Sequence, residues 1–136
     1  MRKGSRFTVM ELIISLFIFL TVLAFAAPTI FRAISTHNLN SAALKAATDM
    51  WDTKYLAITE GTIYRIDFTS GSYQIIRVSD KSVLKVEDLT NYDVGTTEGS
   101  ITFDSRGFSS SGSIVLSNGY GVKTIRVNNI GRVKIS

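Results

Sequence analysis

From Phe7 to Phe31 the chain reads FTVMELIISLFIFLTVLAFAAPTIF, an almost unbroken apolar run whose single charge is the carboxylate of Glu11. A helix over Phe7 to Ala27 would be roughly 31 Å long at about 1.5 Å per residue, enough to cross the hydrocarbon of a bilayer. Between Leu12 and Ala27 the only polar side chains are Ser15 and Thr21. Arg2, Lys3 and Arg6 precede the run with no acid among them, so the positive-inside rule leaves this end in the cytoplasm and sends the rest across. Glu11 is the anomaly. An ionised side chain at membrane depth loses its hydration, so a partner for it is expected.

Three arrangements fit these residues. A cleaved secretory signal would use the basic start, the apolar core and Ala24-Phe25-Ala26 as its A-x-A-like site. It would also put Glu11 at the head of the hydrophobic region and Pro28 beside the bond to be cut. A plain single-span anchor accounts for the length and flanks and gives no reason for the acid. A span that assembles with others supplies the acid with a partner.

Beyond the run about a hundred residues remain, the size of one small domain. Cysteine is absent, which removes disulfides, thiolate metal sites and thiol nucleophiles. The single histidine, His37, sits in the polar stretch Ser35-Thr36-His37-Asn38 with no second ligand type nearby. There is no phosphate-binding Gly-rich loop, no HExxH and no EF-hand spacing. No enzyme, metal or cofactor is expected. Glu87-Asp88, an adjacent acidic pair, reads as a solvated loop end.

Periodicity divides the chain further. Leu39, Ala43, Ala46 and Met50 recur at helical steps, and Ala47, Trp51, Tyr55 and Ile58 extend the stripe, so one helix is predicted from Phe7 to Thr59, bent at Pro28. Its alanines suit close packing on a sheet, Trp51 and Tyr55 are expected in the core, and Gly61 is its stop. From Thr62 onward β-branched and aromatic residues stand between Gly, Ser, Asn and Asp breaks. The predicted strands are 63–68, 73–78, 83–86, 101–103, 113–116, 122–127 and 132–135. The fold class is α+β: a long N-terminal helix, membrane-spanning in its first half, packed on an antiparallel β-sheet domain.

Charge is unevenly spread. Residues 32–100 hold seven basic and nine acidic side chains, whereas after Asp104 there is no acid and Arg106, Lys123, Arg126, Arg132 and Lys134 follow. Arg132 and Lys134, two apart on a predicted strand, share a face, and Arg126 is expected on the neighbouring strand. Two readings stay open: a cationic patch for phosphates, with DNA as the partner, or the solvated face of an edge strand whose charge discourages aggregation.

Phe7-Thr8-Val9-Met10-Glu11-Leu12 resembles the processing signal of type IV pilins and pseudopilins, in which a basic leader is removed before a Phe and a Glu is fifth in the mature chain. Counted from Phe7, Glu11 is fifth and Pro28 twenty-second, where such pilins carry a kinking proline. Ile101-Thr102-Phe103-Asp104-Ser105-Arg106-Gly107, Ser113-Ile114-Val115-Leu116, Ile125-Arg126-Val127 and Gly131-Arg132-Val133-Lys134 are similar to the C-terminal half of the GspH/FimT group of minor pilins and pseudopilins.

The resemblance implies a leader at 1–6, a transmembrane assembly helix at 7–31, an amphipathic continuation at 32–60 and a β-domain at 61–136. It implies a single-pass inner-membrane protein with its C-terminal domain extracytoplasmic, cut by a prepilin peptidase before Phe7 and N-methylated there. The family has Gly before the scissile bond and this chain has Arg6, so the alternative is cleavage after Gly4. Glu11 would pair with the N-terminus of a neighbouring pilin through the helix, with Pro28 shaping that helix. The expected role is a minor subunit that initiates or tips a secretion or pilus filament. Some members of the FimT branch bind DNA through Gly-Arg-x-Arg; here that element ends in Lys134, which keeps the charge and loses the bidentate fork.

Overall fold

The computed structural model describes Gly4 and residues 6–136. Residues 1–3 and 5 of the expected leader, with the basic flank of Arg2 and Lys3, lie outside the described residues. Two compact units divide the chain, one ending at Ile34 and the other formed by Ser35–Ser136. A single helix, α1 (Val9–Glu60), runs through both.

In the first unit every described helical residue up to Phe25 is exposed, and the most apolar window of α1 has a mean hydropathy of 2.6 with none of it buried. The two hydroxyls in this stretch are satisfied without a partner chain. Ser15 Oγ donates to Glu11 O at 2.6 Å and Thr21 Oγ1 to Phe17 O at 2.7 Å, the back-bonding that lets Ser and Thr sit in an apolar helix.

In the second unit α1 buries Leu39, Ala42, Ala43, Ala46, Ala47, Met50, Thr53 and Ala57. The steps from Leu39 through Ala43, Ala46, Met50 and Thr53 to Ala57 alternate four and three, one face of a helix. Its end carries the predicted stop: Gly61 has φ +63 and Thr62 N–H bonds to Ala57 O at 3.2 Å, the six-to-one bond of a Schellman cap.

Eight strands follow: β1 (Tyr64–Thr69), β2 (Ser72–Arg77), β3 (Ser82–Asp88), β4 (Gly95–Thr96), β5 (Gly99–Phe103), β6 (Gly112–Asn118), β7 (Gly121–Val127) and β8 (Val133–Ile135). They make two antiparallel four-stranded sheets, ordered β3-β2-β1-β5 and β4-β6-β7-β8. Alternation places Tyr64, Ile66 and Phe68 inward on β1, opposite Ile75 and Tyr73 on β2 and Ile101 and Phe103 on β5. Ile114 and Leu116 on β6 and Ile125 and Val127 on β7 do the same in the second sheet, and all join one core with the buried face of α1.

Two expectations are corrected. Trp51 and Tyr55 are 50% and 69% exposed, so they lie outside the core. At about 100° per residue Trp51 is a quarter turn past Met50, and the sheets take the narrow alanine side because small side chains allow close approach. Glu87-Asp88 is the end of β3 and not a solvated loop end. Glu87 pairs with Lys45 of α1 at 3.1 Å and Lys85 at 3.2 Å, and Asp88 accepts the Thr90 N–H at 2.9 Å. Strand β4, two residues long, was below what periodicity can reveal.

Candidate functional site

Thr8 and Glu11 close a capping box on the first turn of α1. Glu11 N–H donates to Thr8 Oγ1 at 3.2 Å, and Glu11 Oε2 accepts the Thr8 N–H at 3.1 Å and the Thr8 hydroxyl at 3.3 Å. Two orphan helix donors are thereby satisfied, and the acid sits where the helix dipole favours it. The T-x-x-E spacing is present in the sequence and could have been read as this box. Among the described residues the bonds that Glu11's carboxylate accepts fall on Oε2, which leaves Oε1 with acceptor capacity. Arg6 and Phe7, on either side of the expected scissile bond, are exposed, and Pro28 stands inside the unbroken span of α1.

The second candidate lies on the β4-β6-β7-β8 sheet. Register puts Lys134 of β8 opposite Arg126 of β7, and Arg126 opposite Ser113 of β6, one row across three strands. Arg132 falls in the turn just before β8 rather than within it. It is nonetheless brought to the same place: Arg126, Arg132 and Lys134 line one cavity of about 660 Å³ with Ser111, Gly112, Ser113, Val127 and Asn128. All three cations are exposed, and among the described residues none of them forms an ion pair. The one acid after residue 100, Asp104, is held by Arg106 at 3.1 Å.

The turn that presents Arg132 is fixed from three sides. Asn128 Oδ1 accepts the Arg132 N–H at 2.9 Å, Gly131 N–H bonds to Asn128 O at 2.9 Å, and Lys54 Nζ on α1 donates to Gly131 O at 3.2 Å. Gly131 has φ +73, and a Cβ there would lie 2.3 Å from Gly107 O, so only glycine fits. Lys54, 77 residues away in sequence, carried no sign of this positioning role.

Two polar clusters tie α1 to the first sheet. Asp49, 5% exposed, accepts the Tyr73 hydroxyl and two contacts from Lys85 Nζ at 2.9 and 3.0 Å. The bond to Asp49 holds the Lys85 ammonium above its ordinary range, and burial pushes the Tyr73 hydroxyl up. Burial pushes Glu87 up as well, but the Lys45 and Lys85 ammonium groups outweigh it and its carboxyl ends below the usual value. At the end of α1, Glu60 accepts from Tyr64 Oη and from Arg77, each at 2.5 Å. These clusters are structural; they contain no reactive arrangement.

Comparison with known proteins agrees with the fold. The family model described as type II transport protein GspH matches residues 47–131. Among solved structures, the type IV minor pilin FimU of Pseudomonas aeruginosa superposes with a TM-score of 0.62 at 14% identity, covering 74% of this chain and 90% of FimU. The minor pseudopilin EpsH of the Vibrio cholerae type 2 secretion system superposes with a TM-score of 0.60 at 10% identity, covering 73% of this chain and 96% of EpsH. No curated protein sequence matches significantly. With the model covering more than half of its length and the minor-pilin architecture in both of its sheets and its long helix, the chain belongs to the GspH family of type II transport proteins, with the fold of minor pilins and pseudopilins.

Proposed function

We propose that the chain is a minor subunit of a filament of the type II secretion or type IV pilus class and helps to initiate or tip it. In this reading residues 1–6 are a leader removed by a prepilin peptidase before Phe7, with cleavage after Gly4 as the alternative, and Phe7 is N-methylated. Residues 7–31 hold the subunit in the inner membrane, 32–60 continue the helix, and 61–136 form the extracytoplasmic domain. The observation that carries the reading is the wholly exposed apolar start of α1 bearing one carboxylate, which only its own Thr8 engages among the described residues. Oε1 can take the N-terminal ammonium of a neighbouring pilin, an ion pair strengthened by the low dielectric and sensitive to register.

Intact-mass measurement of the membrane-extracted protein tests the processing: loss of residues 1–6, or 1–4, supports it, and a full-length chain removes it. Glu11→Ala is expected to leave insertion and leader removal intact and to lower incorporation into filaments by about a hundredfold or more, because removing one partner of a buried charge pair costs about 3 to 5 kcal/mol. Unchanged incorporation rules out the ion pair.

The convergence of Arg126, Arg132 and Lys134 on one cavity favours a second reading, a minor pilin that captures DNA for uptake. Duplex DNA would then bind with salt-dependent affinity that falls when Arg132 and Lys134 become Gln. Absence of binding at low salt ends that reading.

A further inference from the structure

We propose that the tip of the β6-β7 hairpin, Tyr120 with Val122 beside it, is a membrane-surface foot that rests in the phospholipid headgroup layer where α1 leaves the bilayer. The two strands are joined by Gly119 and Tyr120 alone. Asn118 makes the turn: its Oδ1 accepts the N–H groups of Tyr120 at 3.0 Å and Gly121 at 3.1 Å. Tyr120 lends the turn only its backbone, and its ring is left out in solvent, the residue being 53% exposed. Val122, on the face of β7 opposite the buried Ile125 and Val127, is 61% exposed. The turn thus carries an aromatic ring and an apolar side chain that its own fold does not use.

Packing within the second unit sets this tip at the end where the apolar run arrives. Asn118 Nδ2 donates to Ser35 O at 2.8 Å, and a Cβ on Gly121 would lie 3.3 Å from Leu39 Cδ2. Past the other end of β7, Lys54 Nζ donates to Gly131 O at 3.2 Å. From Leu39 to Lys54 α1 rises about 22 Å, and β7 covers about 20 Å, so β7 runs in the direction of α1 and its turn points back toward Ser35. From Phe31, where the apolar run ends, the chain to Ser35 reaches at most about 14 Å even fully extended. A headgroup layer is about 5 to 8 Å deep on each side of the hydrocarbon, so the turn is tethered within reach of it for any angle between the two units. Tyrosine suits that depth, with an apolar ring and a polar hydroxyl. Asp93 stands two residues before Gly95, which pairs with Ser117 near the same turn, so the contact is apolar and interfacial rather than a salt-dependent one to anionic lipid. The inference rests on α1 serving as a membrane anchor, and it adds a second contact that sets how the domain stands on the bilayer before the subunit enters a filament.

The test uses the full chain in phosphatidylcholine nanodiscs, with or without phosphatidylglycerol, whose acyl chains carry bromine close to the glycerol, a quencher that acts only near contact. Trp51, the one tryptophan of the chain, stands about 24 Å farther along α1 than Ser35 and is the reference. Tyr120→Trp in a Trp51→Phe chain is expected to be quenched at least about threefold more than Trp51 in the parent, equally with and without phosphatidylglycerol. Adding Val122→Glu should cut that quenching at least about fivefold, because a carboxylate resists transfer out of water. Near-ultraviolet circular dichroism checks that the variants keep the parent's fold. In the unaltered chain, a lipid with a gadolinium-bearing headgroup should broaden the amides of residues 120–123 more than those of 128–131 beyond the far end of β7. A reporter at position 120 quenched no more than Trp51 overturns the inference, as do quenching untouched by Val122→Glu and equal broadening at both ends of β7. Quenching confined to discs with phosphatidylglycerol assigns the contact to charge and overturns it too. A reporter shielded from aqueous acrylamide yet untouched by bromine assigns the tip to a second protein chain, with the same result. A chain that the disc does not retain removes the anchor reading along with this one, whereas the other outcomes leave the anchor standing.

Discussion

Replacing Asp49 by Ala removes the one side chain that joins α1 to both Tyr73 and Lys85. Tyr73 is 1% exposed, so its hydroxyl would be left without an acceptor in the core, which costs about 1 to 3 kcal/mol, at the upper end because the lost bond is to a carboxylate. The Lys85 side chain is 39% exposed and keeps Glu87 at 3.2 Å, so its share is screened and adds no more than about 1 kcal/mol. The expected loss is about 3 kcal/mol. Asp49→Asn retains an acceptor for Tyr73 and should cost about half as much. Tyr73→Phe should cost about 1 to 2 kcal/mol in the parent and close to nothing beside Asp49→Ala, because the hydroxyl it removes is then unsatisfied. Urea unfolding of the four chains in detergent, followed by near-ultraviolet circular dichroism, gives the cycle. Equal cost for Tyr73→Phe in both backgrounds would refute the argument that Asp49 is what satisfies the hydroxyl.

Two glycines with similar backbone angles should respond differently. Gly61→Ala meets no atom within 4 Å and should cost about 1 kcal/mol for its left-handed φ, whereas Gly131→Ala runs into Gly107 O and should cost about 3 kcal/mol or more in thermal unfolding. Met50→Ala, fully buried, should lose about 2 to 5 kcal/mol, and the adjacent Trp51→Ala, half exposed, less than about 1 kcal/mol. Glu87 has a lowered folded pKa, so its stabilisation is present above the ordinary value of 4.5 and is lost as pH falls below it through the folded value. Lys85 has a raised one, so its contribution is present below 10.5 and is lost as pH rises past it. Unfolding profiles of Glu87→Gln should therefore flatten chiefly on the acid side, with a smaller change on the basic side because Glu87 also helps Asp49 to raise Lys85.

Local rules carried much of the reading. The apolar run and the spacing of Leu39, Ala43, Ala46 and Met50 specify a helix because a 3.6-residue period leaves no other regular structure with those residues on one side. Gly61 marks its end because few other residues adopt a positive φ without strain. Alternation of Tyr64, Ile66 and Phe68, and of Ile125 and Val127, specifies strands for the same kind of reason. The Phe7, Glu11 and Pro28 spacing was likewise visible, since it is a pattern along one local stretch, with Glu11 and Pro28 on α1 and Phe7 just ahead of it.

Tertiary structure decided what depends on residues far apart in the chain. Hydropathy ranks Trp51 and Tyr55 as core residues, yet the helix turned its alanine side inward, because two sheets approach closely only where side chains are small. Asp49 and Glu87 look like surface acids until Tyr73, Lys85 and Lys45 arrive from other elements. Arg126 and Lys134 became neighbours through the register of β7 and β8, and Arg132 joined them through a turn held by Lys54. A sequence states which charges and shapes are present and how they alternate locally; which of them meet is settled by packing, where close approach and the pairing of buried polar groups choose among arrangements that local periodicity leaves equal.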